Sequence, residues 1–435
     1  MFRALPALFA LVLTASLSVS ATAQTDYRVD VEQFYQQLLE NHPAPYARTS
    51  QAAWETHYTD LMAAAQSMSE DEFLVRMSGF AALVGDGHTN LLPFYAPPES
   101  FANRLPVRFD VFEEGVFITH TTAPLAHLAG AKITAINGHA IETIVAEFSA
   151  VIGSDNPQWA KRWLPTLLTY PNYLEGLQLG AGDRNAPQQF ELELEGQTIF
   201  ADITASAARA PLAEARSSVS ELIDPALIYG FTQLPDTDTV YAVYREVADS
   251  EDETVAQFAA RLFAYIEDNQ IDRLIFDIRE NGGGNNYLNQ PFLHGMIASR
   301  VNRPGGLYIL TGRMTFSAAM NIATRTERHT QALFVGEDTS GAPNHYGDPT
   351  FGALPVSGPP YTMSTLFWQD SQPDDQRNTL TPDIQVAVRW SDWVEGRDAA
   401  LETAIRHQVP DGTEVVSPPA RWARASQVNP RGAPE

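Results

Sequence analysis

The stretch Leu307–Met320, LYILTGRMTFSAAM, decides how this chain is read. Leu307 to Leu310 are apolar and partly β-branched, with Pro304-Gly305-Gly306 before them and Thr311-Gly312 after, which frames a strand. Ser317 then opens SAAMNIATRTER, a run of good helix formers with apolar residues at helical spacing. A strand, a tight turn and a helix start therefore meet at a serine. Unpaired backbone N–H groups and the positive end of a helix dipole surround such a residue, which suits a nucleophile whose attack creates an oxyanion. A plain N-cap serine has the same local sequence.

The alternation continues on both sides. VYAVYREV (240–247), RLIFDIR (273–279), LYILTG (307–312) and ALFVGE (332–337) read as strands. TVAQFAARLFAYIEDNQ (254–270), the second half of GGGNNYLNQPFLHGMIASR (282–300) and the Ser317 segment read as helices between them. Strands and helices in this order imply a parallel sheet with crossover helices. YTMSTLFWQ (361–369), PDIQVAV (382–388) and a helix, EGRDAALETAIRH (395–407), complete this region. Residues 206–235 carry Ala, Ser and Pro without clear period and read as a linker.

Further upstream, VEQFYQQLLENH, AAWETHYTDLMAAAQSM and SEDEFLVRMSGFAALV make residues 27–85 helical. Gly85-Asp86-Gly87-His88-Thr89 follows as a tight helix-to-strand turn. A histidine fixed there is placed for proton transfer, or bonds only backbone. LPVRFDVFEEGVFITHTT (105–122) and GAKITAINGHAI (130–141) are β-rich, with Asn137-Gly138 as a turn, and FELELEG with QTIFADITA (190–205) reads as a hairpin. The aromatics of the helical stretch 157–178 (Trp159, Trp163, Tyr170, Tyr173) read as packing, His42 as structural, and His57, His120, His127 and His139 as solvated.

Composition bounds the chemistry. The chain has 435 residues and a net charge of 28 − 53 = −25, a surface that repels nucleic acid and anionic membranes. With no cysteine there is no disulfide, thiol catalysis or thiolate metal site, and no HExxH-type ligand set is present, so neither metal nor cofactor is expected. Residues 1–23 have the form of a signal peptide: Arg3, the apolar LPALFALVLTASL, and Ala21-Thr22-Ala23, with cleavage expected near Ala23-Gln24 and a periplasmic or secreted product. Residues 410–435 read as a polar tail.

GDGHT, then Asp277–Gly284 (DIRENGGG) at a strand end, then Ser317 in TFSAA, then GEDTSGAPNHYGD (336–348), then TPDIQV (381–386), in this order, resemble the tail-specific (C-terminal processing) and tricorn-core serine peptidase family over roughly residues 30–410. The resemblance implies an α/β fold with a crotonase/ClpP-like core in residues 206–409, a PDZ-like β module with a helical insert in 101–205, and an N-terminal helical region in 24–100. It makes Ser317 the nucleophile. Ala318 and Gly283 would supply oxyanion N–H groups, and Gly282, Gly284, Asn344 and His345 would line the substrate cleft. Tail-specific members pair the serine with a lysine in the region that is Gly336–Pro343 here. The only lysines are Lys132 and Lys161, and arginine cannot serve as a base. Tricorn-like members use a histidine from the GDGHT turn, so the resemblance implies His88 as base, with His345 as a rival. An orienting group is expected before the PDI strand, among Asp374, Asp375 and Gln376, with Asp375 favoured; Asp277 and Glu337 are expected to hold strand ends. The implied partner is a peptide or protein substrate. Two other readings share these residues: a non-catalytic binder of peptide or apolar ligand, for which Glu280 in the glycine loop would be a mark of decay, and an esterase.

Overall fold

A computed structural model of the chain describes residues 25–92, 101–208, 210–215 and 222–410. The expected signal peptide and nearly all of the polar tail lie outside the described residues. Among the described residues no helix is long and apolar enough to cross a membrane.

Six strands form the sheet that carries the serine. In spatial order they are Ile384–Gln385, Leu333–Gly336, Leu307–Thr311, Arg273–Asp277, Thr239–Tyr244 and Tyr229–Gln233. All neighbours are parallel except the last pair. Thr239–Tyr244 and Leu307–Thr311 are buried at every position, as strands covered on both faces must be, and this explains their unbroken apolar runs. Side chains alternate between two layers. Val240, Ala242, Leu274, Phe276, Leu307 and Ile309 face a core built with helices Val255–Asp268, Gln290–Ala298 and Ala318–His329. Tyr241, Val243, Ile275, Tyr308 and Leu310 face helix Ala399–Arg406. Thr254 and Gln257 form a reciprocal cap at the start of the first of these helices.

The expected linker is corrected at its end. Tyr229–Gln233 is an antiparallel edge strand, turned back through Asp236 at positive φ onto Thr239–Tyr244. Five residues with Gly and Thr among them are too short a pattern to stand out from the Pro- and Asp-containing flanks.

Helices Arg28–Asn41, Gln51–Ala64 and Glu70–Ala82 occupy the expected N-terminal region, with Ser50 and Ser69 as N-caps of the second and third. The β module is an antiparallel sheet in the order Val107–Phe112, Gly115–Thr121, Lys132–Ile136, Gln188–Leu194, Gln197–Ile203. The last hairpin turns at Glu195-Gly196, both at positive φ, as a two-residue turn between twisted strands requires. A further short strand, Ala213–Glu214, pairs with Gly115–Thr121, so this sheet takes in chain beyond residue 205.

One apolar cluster runs through the N-terminal helices and the β module together, from Phe34, Trp54 and Phe80 to Phe109, Ile133 and Phe190. Phe316 belongs to that cluster, whereas Ala318 belongs to the core of the parallel sheet. Ser317 stands between them, at the seam of the two cores.

Candidate active site

Ser317 is built by the sheet and the glycine loop. Strand Leu307–Thr311 ends, and Thr315 Oγ donates to Ile278 O (2.9 Å) and accepts from Gly312 N–H (3.1 Å). The Phe316 N–H donates to Asn281 O (3.1 Å). The serine turn is thereby stapled to the loop after the neighbouring strand. Ser317 itself sits at φ +54°, ψ −126°, directly before helix Ala318–His329. A non-glycine residue there carries strain of about 1–3 kcal/mol, which the staples must hold. Its hydroxyl makes no cap bond to the helix. It meets His88 Nε2 instead, at 2.9 Å.

Gly283, at φ +110°, closes the back of this turn. A Cβ on it would lie 2.6 Å from Ser317 Cβ and 2.9 Å from Ala318 N. Its own N–H is donated to Asn281 Oδ1 (2.9 Å), so the oxyanion donor expected from Gly283 is already engaged within the loop. Asn281 Nδ2 in turn donates to Tyr244 O (2.8 Å). The N–H groups of Ala318, Gly282 and Gly284 have no hydrogen-bond partner among the described residues.

His88 is held by the opposite side of the seam. Asp86 Oδ1 accepts the N–H groups of His88 (2.6 Å) and Thr89 (3.0 Å) and the Ser364 hydroxyl (3.0 Å). Its Oδ2 faces His42 Nε2 at 3.0 Å. Because His42 Nδ1 accepts from the Ala44 N–H, its Nε2 carries the proton and donates to Asp86. Burial pushes the Asp86 carboxyl up, but the His42 hydrogen bond and the nearby imidazoles outweigh it, and the group stays below the usual carboxylate range. The Phe316 ring stacks on the His88 imidazole at 4.3 Å and Trp159 stacks on Phe316 at 3.9 Å. A Cβ on Gly87 would lie 2.6 Å from the Phe316 ring, so this position admits no side chain while that stack stands.

Burial pushes the His88 pKa down to about 4, against the pull of Asp86, and His345 adds to the lowering. The ring is therefore neutral at pH 7 and can accept the Ser317 proton. Its Nδ1 is buried and meets no carboxylate; Asp86, through space, and the Tyr346 backbone are the groups that favour the charged ring.

The remaining expected residues fall into place or out of it. Asp375, expected as the orienting group, turns its carboxylate to the Ser371 hydroxyl (2.5 Å) and Arg377 (2.8 Å), and Arg377 also clamps Glu327 on helix Ala318–His329 (2.9 Å). It braces a loop to the helix and makes no bond to His88. Asp374 and Gln376 are exposed. His345 lies parallel to His88 at 6.1 Å, donating Nδ1–H to Ala342 O, so it neighbours the base without touching Ser317. Asn344 spends its amide on Gln372 O and the Ser371 N–H, tying down the strand that carries His345. Asp277 anchors Tyr241 and Arg279, and Glu337 anchors Arg313, the strand-end roles expected of them. Sequence reasoning gave Asp86 and His42 no part in the site. The Asp two residues before His88 was the signal, since that spacing forms an Asx turn; nothing local marks His42. A cavity of about 770 Å³ lies between the β module and the parallel sheet, lined by Arg104, Arg108, Lys161 and Arg313, and includes neither Ser317 nor His88. Among the described residues no His, Asp and Glu cluster could hold a metal ion.

The chain is a mixed α/β protein with a serine and a neutral histidine in hydrogen-bond contact at a strand–helix turn. No family model and no curated protein matches its sequence. Solved structures do match its fold. Mature CPAF aligns over 89% of this chain and 99% of its own, at 12% identity and a TM-score of 0.61. Mature CPAF complexed with lactacystin aligns over 87% and 97%, at 10% identity and a TM-score of 0.62. The photosystem II D1 C-terminal processing protease aligns over 86% and 99%, at 15% identity, with a TM-score of 0.42. At these identities the CPAF likeness establishes the fold alone.

Proposed function

We propose that this chain is an exported serine peptidase that hydrolyses peptide bonds with Ser317 as nucleophile and His88 as general base. The observation that carries this reading is the 2.9 Å contact between Ser317 Oγ and His88 Nε2 across the seam of two cores. In this reading residues 206–409 form a crotonase/ClpP-like catalytic core. Residues 101–205 form a PDZ-like module and 24–100 the helical region that delivers the base.

The chemistry runs as acyl transfer. Ser317 Oγ attacks the scissile carbonyl carbon while its proton passes to His88 Nε2. The carbonyl oxygen becomes an oxyanion, received by the Ala318 N–H and by an N–H of Gly282 or Gly284, the loop donors that Asn281 leaves open; one such donor is worth about 100- to 1000-fold in rate. His88 returns the proton to the departing amine, and water, deprotonated by His88, then cleaves the acyl-enzyme and restores the serine. Asp86 favours the imidazolium that forms and holds the His88 backbone, so we assign it the orienting role expected of Asp375.

His88 Nδ1 meets the Tyr346 backbone and no carboxylate, and this favours the second reading, a non-catalytic binder. Labelling with a fluorophosphonate probe separates the two. The peptidase reading expects labelling of the wild type at Ser317 that is lost in Ser317→Ala and His88→Ala. An unlabelled wild type would leave the binder; labelling that survives His88→Ala would remove His88 as base.

A further inference from the structure

One wall of the cleft is used by no catalytic step. The strands Asn344–Gly347 and Leu366–Gln369 form an isolated antiparallel ribbon beside His88. A Cβ on Gly347 would lie 3.2 Å from Trp368 Cδ1 and 3.6 Å from His88 Cε1, so Gly347 separates the indole from the base by one backbone thickness. From the nucleophile's side comes the helical turn Asn286–Asn289, which continues the glycine loop. Asn289 Nδ2 donates to Ala318 O (2.8 Å) and fixes this turn next to Ser317. Tyr287, on the turn, reaches across to Trp368, ring centroids 6.4 Å apart and edge to face. The two aromatics thus join the serine side of the cleft to the histidine side.

This wall is apolar and bare. Tyr287 is 75% exposed, and Leu366, on the Trp368 face of its strand, is 50% exposed. Leu366–Gln369 pairs only with Asn344–Gly347 among the described residues, so its other edge has open N–H and C=O groups. Edge strands are ordinarily shielded by charge, proline or a bulge. Leu366, Phe367, Trp368 and Gln369 contain neither charge nor proline, in a chain of net charge −25. An unshielded apolar edge invites aggregation unless a ligand uses it.

We infer that this wall selects the substrate: it takes an extended peptide whose side chain beside the scissile bond is large and apolar, laid on Tyr287 and Trp368, with the peptide backbone paired to the open edge of Leu366–Gln369. The inference rests on the peptidase reading for its meaning, and its test stands apart from catalysis. An acidic side chain at the same place gains no apolar contact and loses water. Discrimination on the order of tenfold or more follows from burying one such side chain.

Binding of matched decapeptides, with Phe, Leu, Gly or Asp at one central position, is measured by calorimetry on the Ser317→Ala protein, which cannot turn them over. The expected result is binding of the Phe and Leu peptides at least tenfold tighter than the Asp peptide, a preference that collapses toward parity when Tyr287→Ala is added. Tyr287 is three-quarters exposed, so its truncation leaves the fold intact and any lost preference belongs to the wall. Equal binding of all four peptides, or a preference unmoved by Tyr287→Ala, overturns the inference. Failure of the probe to label Ser317 would overturn the peptidase reading and leave this binding result to be judged by itself.

Discussion

The two turns that meet at the site are made differently. The Ser317 turn is a product of the parallel sheet: neighbouring strand ends, backbone staples and a glycine packed against strained backbone. The His88 turn is a product of side chains, with one buried carboxylate gathering His42, Ser364 and two backbone N–H groups under an aromatic stack. The proposed nucleophile is therefore rigid because its backbone has nowhere else to go. The proposed base is placed only when helical region, β module and core close on one another. In this reading the protein loses its nucleophile through backbone changes and its base through charge changes.

The largest effect is expected where backbone strain and close packing coincide. Gly283→Ala puts a Cβ 2.6 Å from Ser317 Cβ at a φ of +110° that alanine disfavours. Labelling of Ser317 should vanish and activity fall by about 1000-fold or more, as loss of both the serine position and the oxyanion donors implies. Gly87→Ala is the matching change on the other turn, where the obstacle is the rim of the Phe316 ring. Tilting of that ring should leave a measurable residue of activity. Equal loss in the two variants would erase the proposed difference between the turns.

Next come the two carboxylates. Asp86→Asn keeps an acceptor for the His88 and Thr89 N–H groups but sets an amide against the protonated His42 Nε2. Stability should fall by about 2–3 kcal/mol, the worth of a charge-assisted buried hydrogen bond, and kcat by about 100-fold through misplacement of the base. Asp375→Asn leaves Arg377 its Glu327 clamp. It should cost about 1–3 kcal/mol of stability and little kcat. A kcat loss for Asp375→Asn as large as for Asp86→Asn would return the orienting role to Asp375.

A smaller and graded effect is expected with pH. His88 titrates at about 4 in the folded protein and at 6.5 when unfolded. The base stays competent well below pH 6, so the acid limb of kcat/KM should lie near 4 to 5. The sign for stability follows: the unfolded chain binds the proton more readily, so the contribution is full above pH 6.5 and is lost as pH falls toward 4, about 3 kcal/mol in all. His345, also lowered by burial, adds in the same direction. Asp86→Asn removes the field that holds the His88 pKa up, and should move the acid limb lower still. An acid limb at 6.5 in the wild type would mean that His88 is not buried in the working enzyme.

What could be read from the chain alone divides along the same line. The strand–serine–helix unit was legible because strand run, turn residues and helix formers lie within fourteen consecutive positions. His88 came within reach only through the resemblance, whose tail-specific members need a lysine that is absent after Lys161 and whose tricorn-like members use a histidine of the GDGHT turn. The partner of His88 was not, because Asp86 acts through backbone bonds and space rather than from the sequence neighbourhood of the PDI strand. No periodicity announces the fusion of helical region and β module into one core, or the Trp159–Phe316–His88 stack, whose members stand 71 (His88 to Trp159) and 228 (His88 to Phe316) positions apart.

Glu280 offers the smallest effect and tests whether the glycine loop has decayed. A glutamate beside the oxyanion donors would oppose the developing negative charge if it pointed inward. Its side chain is instead 70% exposed and lies 3.2 Å from Arg245, whose guanidinium also donates to Asp224 O and Leu227 O. An exposed pair of this kind contributes about 0.2–1 kcal/mol, screened by salt. Glu280→Gln should therefore change thermal stability by no more than a degree or two and kcat by less than about twofold, because solvent and Arg245 already cancel its charge at the site. A rise in kcat of tenfold or more in Glu280→Gln, largest at low ionic strength, would show that the carboxylate does act on the oxyanion, and would count as evidence that this loop has moved away from catalysis.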